Sequence, residues 1–128
     1  MPKNPHTELV NSTLVKIGAT PHGRFWKNNT GAGIPLAVVK MFAAKHGGFV
    51  PLRELVKYTL HYGLVGSSDI VGILKNGKMC AIECKTGGGK QNVAQINFES
   101  MIQNFGGHYF VVREETPILE LIQQASEG

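Results

Sequence analysis

Three charged residues, Asp69, Glu83 and Lys85, lie on two short apolar segments of the chain. The first segment, residues 70–74, directly follows the aspartate and is rich in strand-forming residues. The second, residues 78–85, carries the glutamate and the lysine two positions apart, so both side chains point to one face of a strand. Turn-forming residues separate the segments. The pattern therefore predicts a β-hairpin with two carboxylates and a lysine.

The length of the hairpin turn decides whether the two carboxylates meet. A two-residue turn at Asn76-Gly77 would place Asp69 and Glu83 on opposite faces of the sheet. A three-residue turn at 75–77, with Gly77 in the left-handed conformation beside a bulge, pairs Asp69 directly with Glu83. Their Cβ atoms would then lie about 5 Å apart. The prediction of a joint site depends on this three-residue turn.

Two carboxylates at this distance repel each other, and a cation between them relieves the repulsion. Oxygen ligands favour Mg²⁺ or Mn²⁺, and the backbone carbonyl of Cys84 would supply a further oxygen. The ion would activate a water molecule and neutralise charge on a phosphoryl group. Lys85 would hold the attacking water or the scissile phosphate, or act as a base. We therefore predict a metal-dependent phosphodiesterase, with Asp69 and Glu83 as metal ligands.

An ordinary solvent-exposed hairpin is the alternative, because most charged side chains are exposed. The two strands, however, are apolar on both faces, which is typical of strands buried between two layers. Charges at the ends of such strands need partners and often mark functional sites. The apolar residues are Val71, Ile73, Met79 and Ala81 on one face, and Ile70, Leu74, Cys80 and Ile82 on the other.

Helices and strands are predicted on both sides of the hairpin. The clear signals are a helix at 7–17, a strand at 24–27, a helix at 92–105, a strand at 108–113 and a helix at 117–125. Thr7 is the predicted N-cap of the first helix. Residues 34–45 fit a helix or a pair of strands, and residues 55–64 fit a strand or a short helix. The order predicts an α/β fold in which helices cover a sheet.

The composition is that of a folded domain. The 128 residues are 42% hydrophobic and 17% charged, and we predict a single domain over residues 1–128. The net charge of +4 permits a polyanionic partner without requiring one. We expect neither a membrane span nor export, since no long apolar run or signal-peptide core is present. Cys80 and Cys84 are expected to be small buried hydrophobes in a reducing compartment.

The sequence resembles the VRR-NUC (virus-type replication-repair nuclease) branch of the PD-(D/E)xK nucleases. The similar stretches are RFWKNNTG, GSSDIVGIL, AIECKTGGGKQ and QINFESMIQNFGGHYFVVR, and residues 33–60 stay unexplained. The resemblance implies a restriction-endonuclease-like core of order α-β-β-β-α-β, with a central mixed sheet flanked by helices. It implies a nuclease that depends on Mg²⁺ or Mn²⁺. In stand-alone members it implies a homodimer acting on branched DNA such as Holliday junctions, in the cytoplasm of a bacterial or phage-infected cell.

The resemblance implies the same roles for the carboxylates and the lysine of the hairpin, and it adds two residues. Gln95 matches the helical glutamine that belongs to the family's catalytic set. Glu8 matches an acidic residue of the first helix that completes the metal site. Each has a simpler explanation, because Glu8 stabilises the helix dipole in a first turn and Gln95 fits a capping box with Asn92.

A DNA-binding surface is predicted near the site from basic, amide and hydroxyl side chains. The candidates are Arg24, Lys27, Asn28, Asn29, Ser67, Ser68 and Lys90. Within the enzyme class, a flap nuclease or an exonuclease would use the same site. A non-catalytic DNA-binding accessory domain is the alternative from another class, although such a domain has no need of opposed carboxylates.

Overall fold

The structure is a computed structural model that describes residues 4–128, and these residues form two compact units. Unit 1 contains the chain up to residue 28 and residues 65–128, and unit 2 contains residues 29–64. The elements in chain order are α1 (Pro5–Ile17), β1 (Gly23–Lys27), β2 (Gly31–Gly33), α2 (Leu36–Lys45), α3 (Leu52–Leu55), a 3₁₀ turn (Val56–Tyr58), β3 (Leu60–Tyr62), β4 (Ile70–Leu74), β5 (Met79–Cys84), α4 (Val93–Asn104), β6 (His108–Val112) and α5 (Ile118–Ser126).

Unit 1 is built on a four-stranded mixed sheet with the order β1-β4-β5-β6. Neighbouring strands are antiparallel except β5 and β6, which are parallel and joined through α4. One face of the sheet packs against α1 and α5 through Leu9, Val10, Ile70, Ile82 and Ile122. The other face packs against α4 through Ala81, Phe98, Ile102 and Tyr109. The prediction of a mixed sheet flanked by helices is therefore confirmed.

Helix α1 begins two residues earlier than the sequence predicts. The side chain of Asn4 caps it by accepting the backbone N–H groups of His6 and Thr7 at 2.9 and 3.3 Å. Pro5 occupies the first helical position, where its fixed φ angle fits and its missing N–H needs no partner. The prediction of Thr7 as the N-cap is therefore wrong, whereas the predicted end at Ile17 is confirmed.

The hairpin of β4 and β5 has the predicted register. Ile70 pairs with Ile82, and the turn contains three residues, 75–77. The N–H of Gly77 donates to the carbonyl of Leu74 at 2.8 Å. Gly77 has a φ angle of +89°, the left-handed conformation that glycine adopts most easily. One position beyond the last pair, this register places Asp69 opposite Glu83. The predicted three-residue turn is confirmed.

Both cysteines lie in unit 1 and are free and buried. Burial raises the pKa of the Cys80 thiol to about 12 and that of the Cys84 thiol to about 11. The thiols are therefore protonated and unreactive at neutral pH. This confirms that both residues act as small buried hydrophobes.

The structure of unit 2 decides between helix and strand for residues 34–45 and 55–64, which the sequence periodicity leaves open. Residues 36–45 form a helix, whereas residues 52–62 contain helical turns followed by the short strand β3, which pairs with β2. Phe42 is buried and contacts the Tyr58 ring edge-on, with a centroid distance of 5.4 Å. Unit 2 also exposes large apolar side chains, among them Leu36, Phe49, Leu52, Leu60, Tyr62 and Leu64. Among residues 4–128, no helix is long and apolar enough to cross a bilayer.

Candidate metal centre

Asp69 immediately precedes β4, where the hairpin register turns it towards the end of β5. Its Oδ2 atom accepts the backbone N–H of Cys84 at 2.8 Å. The same oxygen lies 3.2 Å from Nε2 of His6, in the first turn of α1. Asp69 is half-buried, so its carboxylate is fixed by two partners and still reaches solvent.

Glu83 lies opposite Asp69 and is almost fully buried, with 3% of its surface exposed. Its Oε1 atom accepts a hydrogen bond from Nε2 of Gln95 at 3.2 Å. Its Oε2 atom is buried, and no N–H or O–H group of residues 4–128 donates to it. Burial, followed by the negative charge of Asp69, raises the pKa of Glu83 to about 8. The positive charge of Lys85 acts in the opposite direction and does not cancel this rise.

Ligand atoms of His6, Asp69 and Glu83 all lie within 4.8 Å of one another. Two carboxylate oxygens and an imidazole nitrogen form a donor set that a divalent cation can bind. The buried Oε2 atom of Glu83 is independent support for a bound cation, because leaving a buried carboxylate oxygen without a partner costs free energy. The imidazole favours Mn²⁺ over Mg²⁺, since Mg²⁺ prefers oxygen ligands. The Cys84 carbonyl ligand stays a prediction.

Lys85 follows on the same face of the sheet as Glu83 and is held beside it by α4. Its Nζ atom donates to Oε1 of Gln95 at 2.9 Å. Gln95 also completes a capping box, because the same oxygen accepts the N–H of Asn92 and the Asn92 side chain accepts the N–H of Gln95. The first turn of α4 thus connects the lysine to the buried glutamate through one amide side chain.

Glu8 does not belong to the converging group of the described residues. It is exposed and lines a shallow cavity with Lys16 and Glu114. Residues two apart on a helix point to nearly opposite sides, so a helix that turns His6 towards Asp69 turns Glu8 away. No local pattern in the sequence marks His6, because its contact joins residues that are distant in the chain.

Protein-family models, curated proteins and solved structures contain no match to this chain. The VRR-NUC resemblance therefore depends on the motif residues alone. It remains an expectation about the family and the activity.

Three candidate DNA-binding residues shape the turn that leads into β4. The Asn28 side chain donates to Oγ of Ser67 and to the backbone carbonyl of Ser68. Its backbone N–H donates to the carbonyl of Asp69 at 2.8 Å. Ser68 is buried, and its hydroxyl donates to the carbonyl of Ile70. These contacts fix the backbone around Asp69, so a structural role accounts for all three side chains.

The other candidate DNA-binding residues are exposed. Arg24 and Lys27 lie on β1, and Lys90 lies in the glycine-rich loop after β5. Asn29 is the first residue of unit 2 and is exposed there. The structure therefore leaves these four side chains accessible to a ligand.

Proposed function

We propose that this protein is a divalent-metal-dependent endodeoxyribonuclease that hydrolyses phosphodiester bonds in branched DNA such as Holliday junctions. The observation that carries the proposal is the pair of opposed carboxylates of Asp69 and Glu83, in which one buried oxygen of Glu83 has no donor among residues 4–128. A lysine two residues beyond Glu83, held on the same face of the sheet by Gln95, is the second element of a phosphodiesterase site. The preference for branched DNA is drawn from the resemblance to stand-alone VRR-NUC proteins.

The chain's own residues bind, position and polarise in this reaction. Asp69, Glu83 and His6 hold the cation, which when bound lowers the pKa of a coordinated water and neutralises charge on the phosphate. Lys85 holds the attacking water or a non-bridging phosphate oxygen, and Gln95 fixes the position of its ammonium group. Hydrolysis adds the water oxygen to phosphorus and breaks the bond to one sugar oxygen, which takes up a proton.

A homodimer belongs to the same proposal. Two copies related by two-fold symmetry would place two sites on opposite strands of a junction, which suits symmetric cleavage. The exposed apolar side chains of unit 2, such as Phe49 and Leu52, supply a surface that a second copy would cover.

A cleavage assay tests the proposal. The chain is incubated with four-way junction, flapped, single-stranded and linear duplex DNA, each with Mg²⁺, Mn²⁺ or EDTA. We expect metal-dependent cutting of the junction, and a Lys85→Ala variant at least about 100-fold slower. Lys75→Ala serves as the control, because Lys75 is exposed at the opposite end of the hairpin.

The other outcomes separate the alternatives. Cutting in EDTA, or equal rates for Lys85→Ala and Lys75→Ala, would contradict the mechanism. Preferred cutting of flaps or free ends would replace the junction endonuclease by a flap nuclease or an exonuclease. Binding of DNA without cutting would favour a non-catalytic accessory domain.

A further inference from the structure

The parallel strands β5 and β6 end with two cations side by side. Cys84 pairs with Val112 at the end of the ladder, and the backbone N–H of Lys85 donates to the Val112 carbonyl at 2.9 Å. The next residues, Lys85 and Arg113, are therefore neighbours on adjacent strands, which lie about 4.8 Å apart. Both residues are cationic, so this end of the sheet attracts an anion.

These two cations line a cavity of about 490 Å³ that lies entirely in unit 1. We call it the Arg113 cavity; its lining residues are Lys85, Lys90, Gln91, Val111, Arg113 and Thr116. None of them is acidic. Among residues 4–128, the only ion pair joins His6 and Asp69, so no carboxylate of the described chain lies within 4.0 Å of the charge on the three cations.

The guanidinium of Arg113 is fixed at the wall of this cavity. It donates to the carbonyls of Gly87 and Gly89 at 3.0 and 2.8 Å, which holds the glycine-rich loop that carries Lys90. The backbone N–H of Arg113 donates to the hydroxyl of Thr116 at 2.8 Å. A guanidinium has five N–H donors, so others stay available to a ligand. The cavity is thus assembled in advance around positive charge.

We propose that the Arg113 cavity binds a phosphodiester group of the nucleic-acid strand, next to the phosphate at the metal centre. Lys85 belongs to both places, because it lines the cavity and bonds to Gln95 beside Glu83. Arginine binds two phosphate oxygens in a bidentate geometry that lysine cannot reproduce. Apart from Val111 the lining is cationic or polar, which suits contact with the phosphate backbone. This inference rests on the proposed function.

Strand binding without cleavage tests the cavity. The affinity of a fluorescent deoxyoligonucleotide is measured by anisotropy in EDTA, at several salt concentrations. Lys90→Gln is expected to weaken binding about three- to tenfold and to lower the salt slope by about 0.7 to 0.9. Arg113→Lys is expected to weaken binding although the charge is kept. The matched control, Lys75→Gln, removes one exposed cation from the far end of the hairpin and should change neither value.

A second experiment locates the bound phosphate and distinguishes a phosphodiester of the strand from free inorganic phosphate. Phosphates of the oligonucleotide are replaced one at a time by neutral methylphosphonates. We expect the replacement at one position to weaken binding to the wild type. The same replacement should not change binding to Lys90→Gln. Inorganic phosphate is added as a competitor, and displacement at equimolar concentration would overturn the proposal, since the cavity would then be a site for free phosphate.

The remaining outcomes distinguish this inference from the nuclease proposal. Unchanged binding by Lys90→Gln and Arg113→Lys, or an equal loss in Lys75→Gln, would overturn the phosphodiester site even if the protein cuts DNA. Binding that depends on Lys90 and Arg113, in a protein that cuts no DNA, would support the site and contradict the nuclease proposal.

Discussion

At the scale of single residues, Glu83 lies in surroundings that disfavour its ionised form. One of its oxygens accepts a hydrogen bond from Gln95, whereas the other is buried without a donor among the described residues. A buried carboxylate in this state must take up either a proton or a cation. The pKa of about 8 indicates that the proton is taken when no cation is bound.

The stability of the chain should therefore fall as pH rises. The pKa of Glu83 is raised from 4.5 to about 8, so between these values the folded state binds a proton that the unfolded state has lost. The free energy of unfolding then decreases with pH by at most about 1.4 kcal/mol per unit. Urea denaturation in EDTA between about pH 5 and about pH 8 measures this slope. Glu83→Gln should flatten it, and equal slopes in both proteins would refute the assignment.

His6 should set which cation the site prefers. Removal of the imidazole in His6→Ala leaves only oxygen ligands, so the affinity for Mn²⁺ should fall about tenfold while that for Mg²⁺ changes less. Competition between the two ions for the site gives the ratio of affinities. His61→Ala is the control, because His61 is exposed in unit 2. An unchanged ratio in His6→Ala would remove the histidine from the ligand set.

At the scale of elements, the hairpin was predictable because its determinants are local. The turn residues 75–77 fix the register, and the register alone places Asp69 opposite Glu83. The capping box of α4 was equally visible as Asn92 followed by Gln95. The contact of His6 with Asp69 was not visible, because it joins α1 to the residue before β4 across 63 residues through tertiary packing.

The turn itself gives a prediction with an internal control. A Cβ atom at Gly77 or at Gly88 would meet no atom within 4 Å, but only Gly77 has a positive φ angle. Gly77→Ala should therefore destabilise the fold by about 1 kcal/mol through backbone strain alone. Gly88→Ala should leave the stability unchanged or raise it slightly. Chemical denaturation compares the two, and an equal effect would contradict the register derived from this turn.

At the scale of the whole molecule, the sequence predicted unit 1 far better than unit 2. Unit 1 follows regular patterns, since β4 and β5 are apolar on both faces and α4 begins with a capping box that is recognisable in the sequence. Unit 2 has few buried residues to impose a period, with Phe42 and Leu55 as its buried apolar side chains. Its exposed apolar surface carried no signal in the sequence, because exposure depends on the packing of the folded chain.

The proposed homodimer can be tested on this surface. Sedimentation velocity at micromolar concentration should give the mass of two chains. Phe49→Ser should shift the protein to a monomer, because Phe49 is 80% exposed on unit 2 and its burial would stabilise the dimer. The control is Phe105→Ser, which removes a ring of similar exposure, 89%, from unit 1. A monomeric wild type, or the same shift in the control, would contradict the dimer.

Equilibrium binding of Mn²⁺ tests the central claim most directly, because it requires no knowledge of the substrate. Titration calorimetry at neutral pH should give one ion per chain. Asp69→Asn and Glu83→Gln should each weaken binding more than about tenfold, since each removes a charged ligand. Glu8→Gln, which removes an exposed carboxylate of α1, should bind as the wild type does. Absence of binding by the wild type, or equal binding by all three variants, would contradict the metal centre.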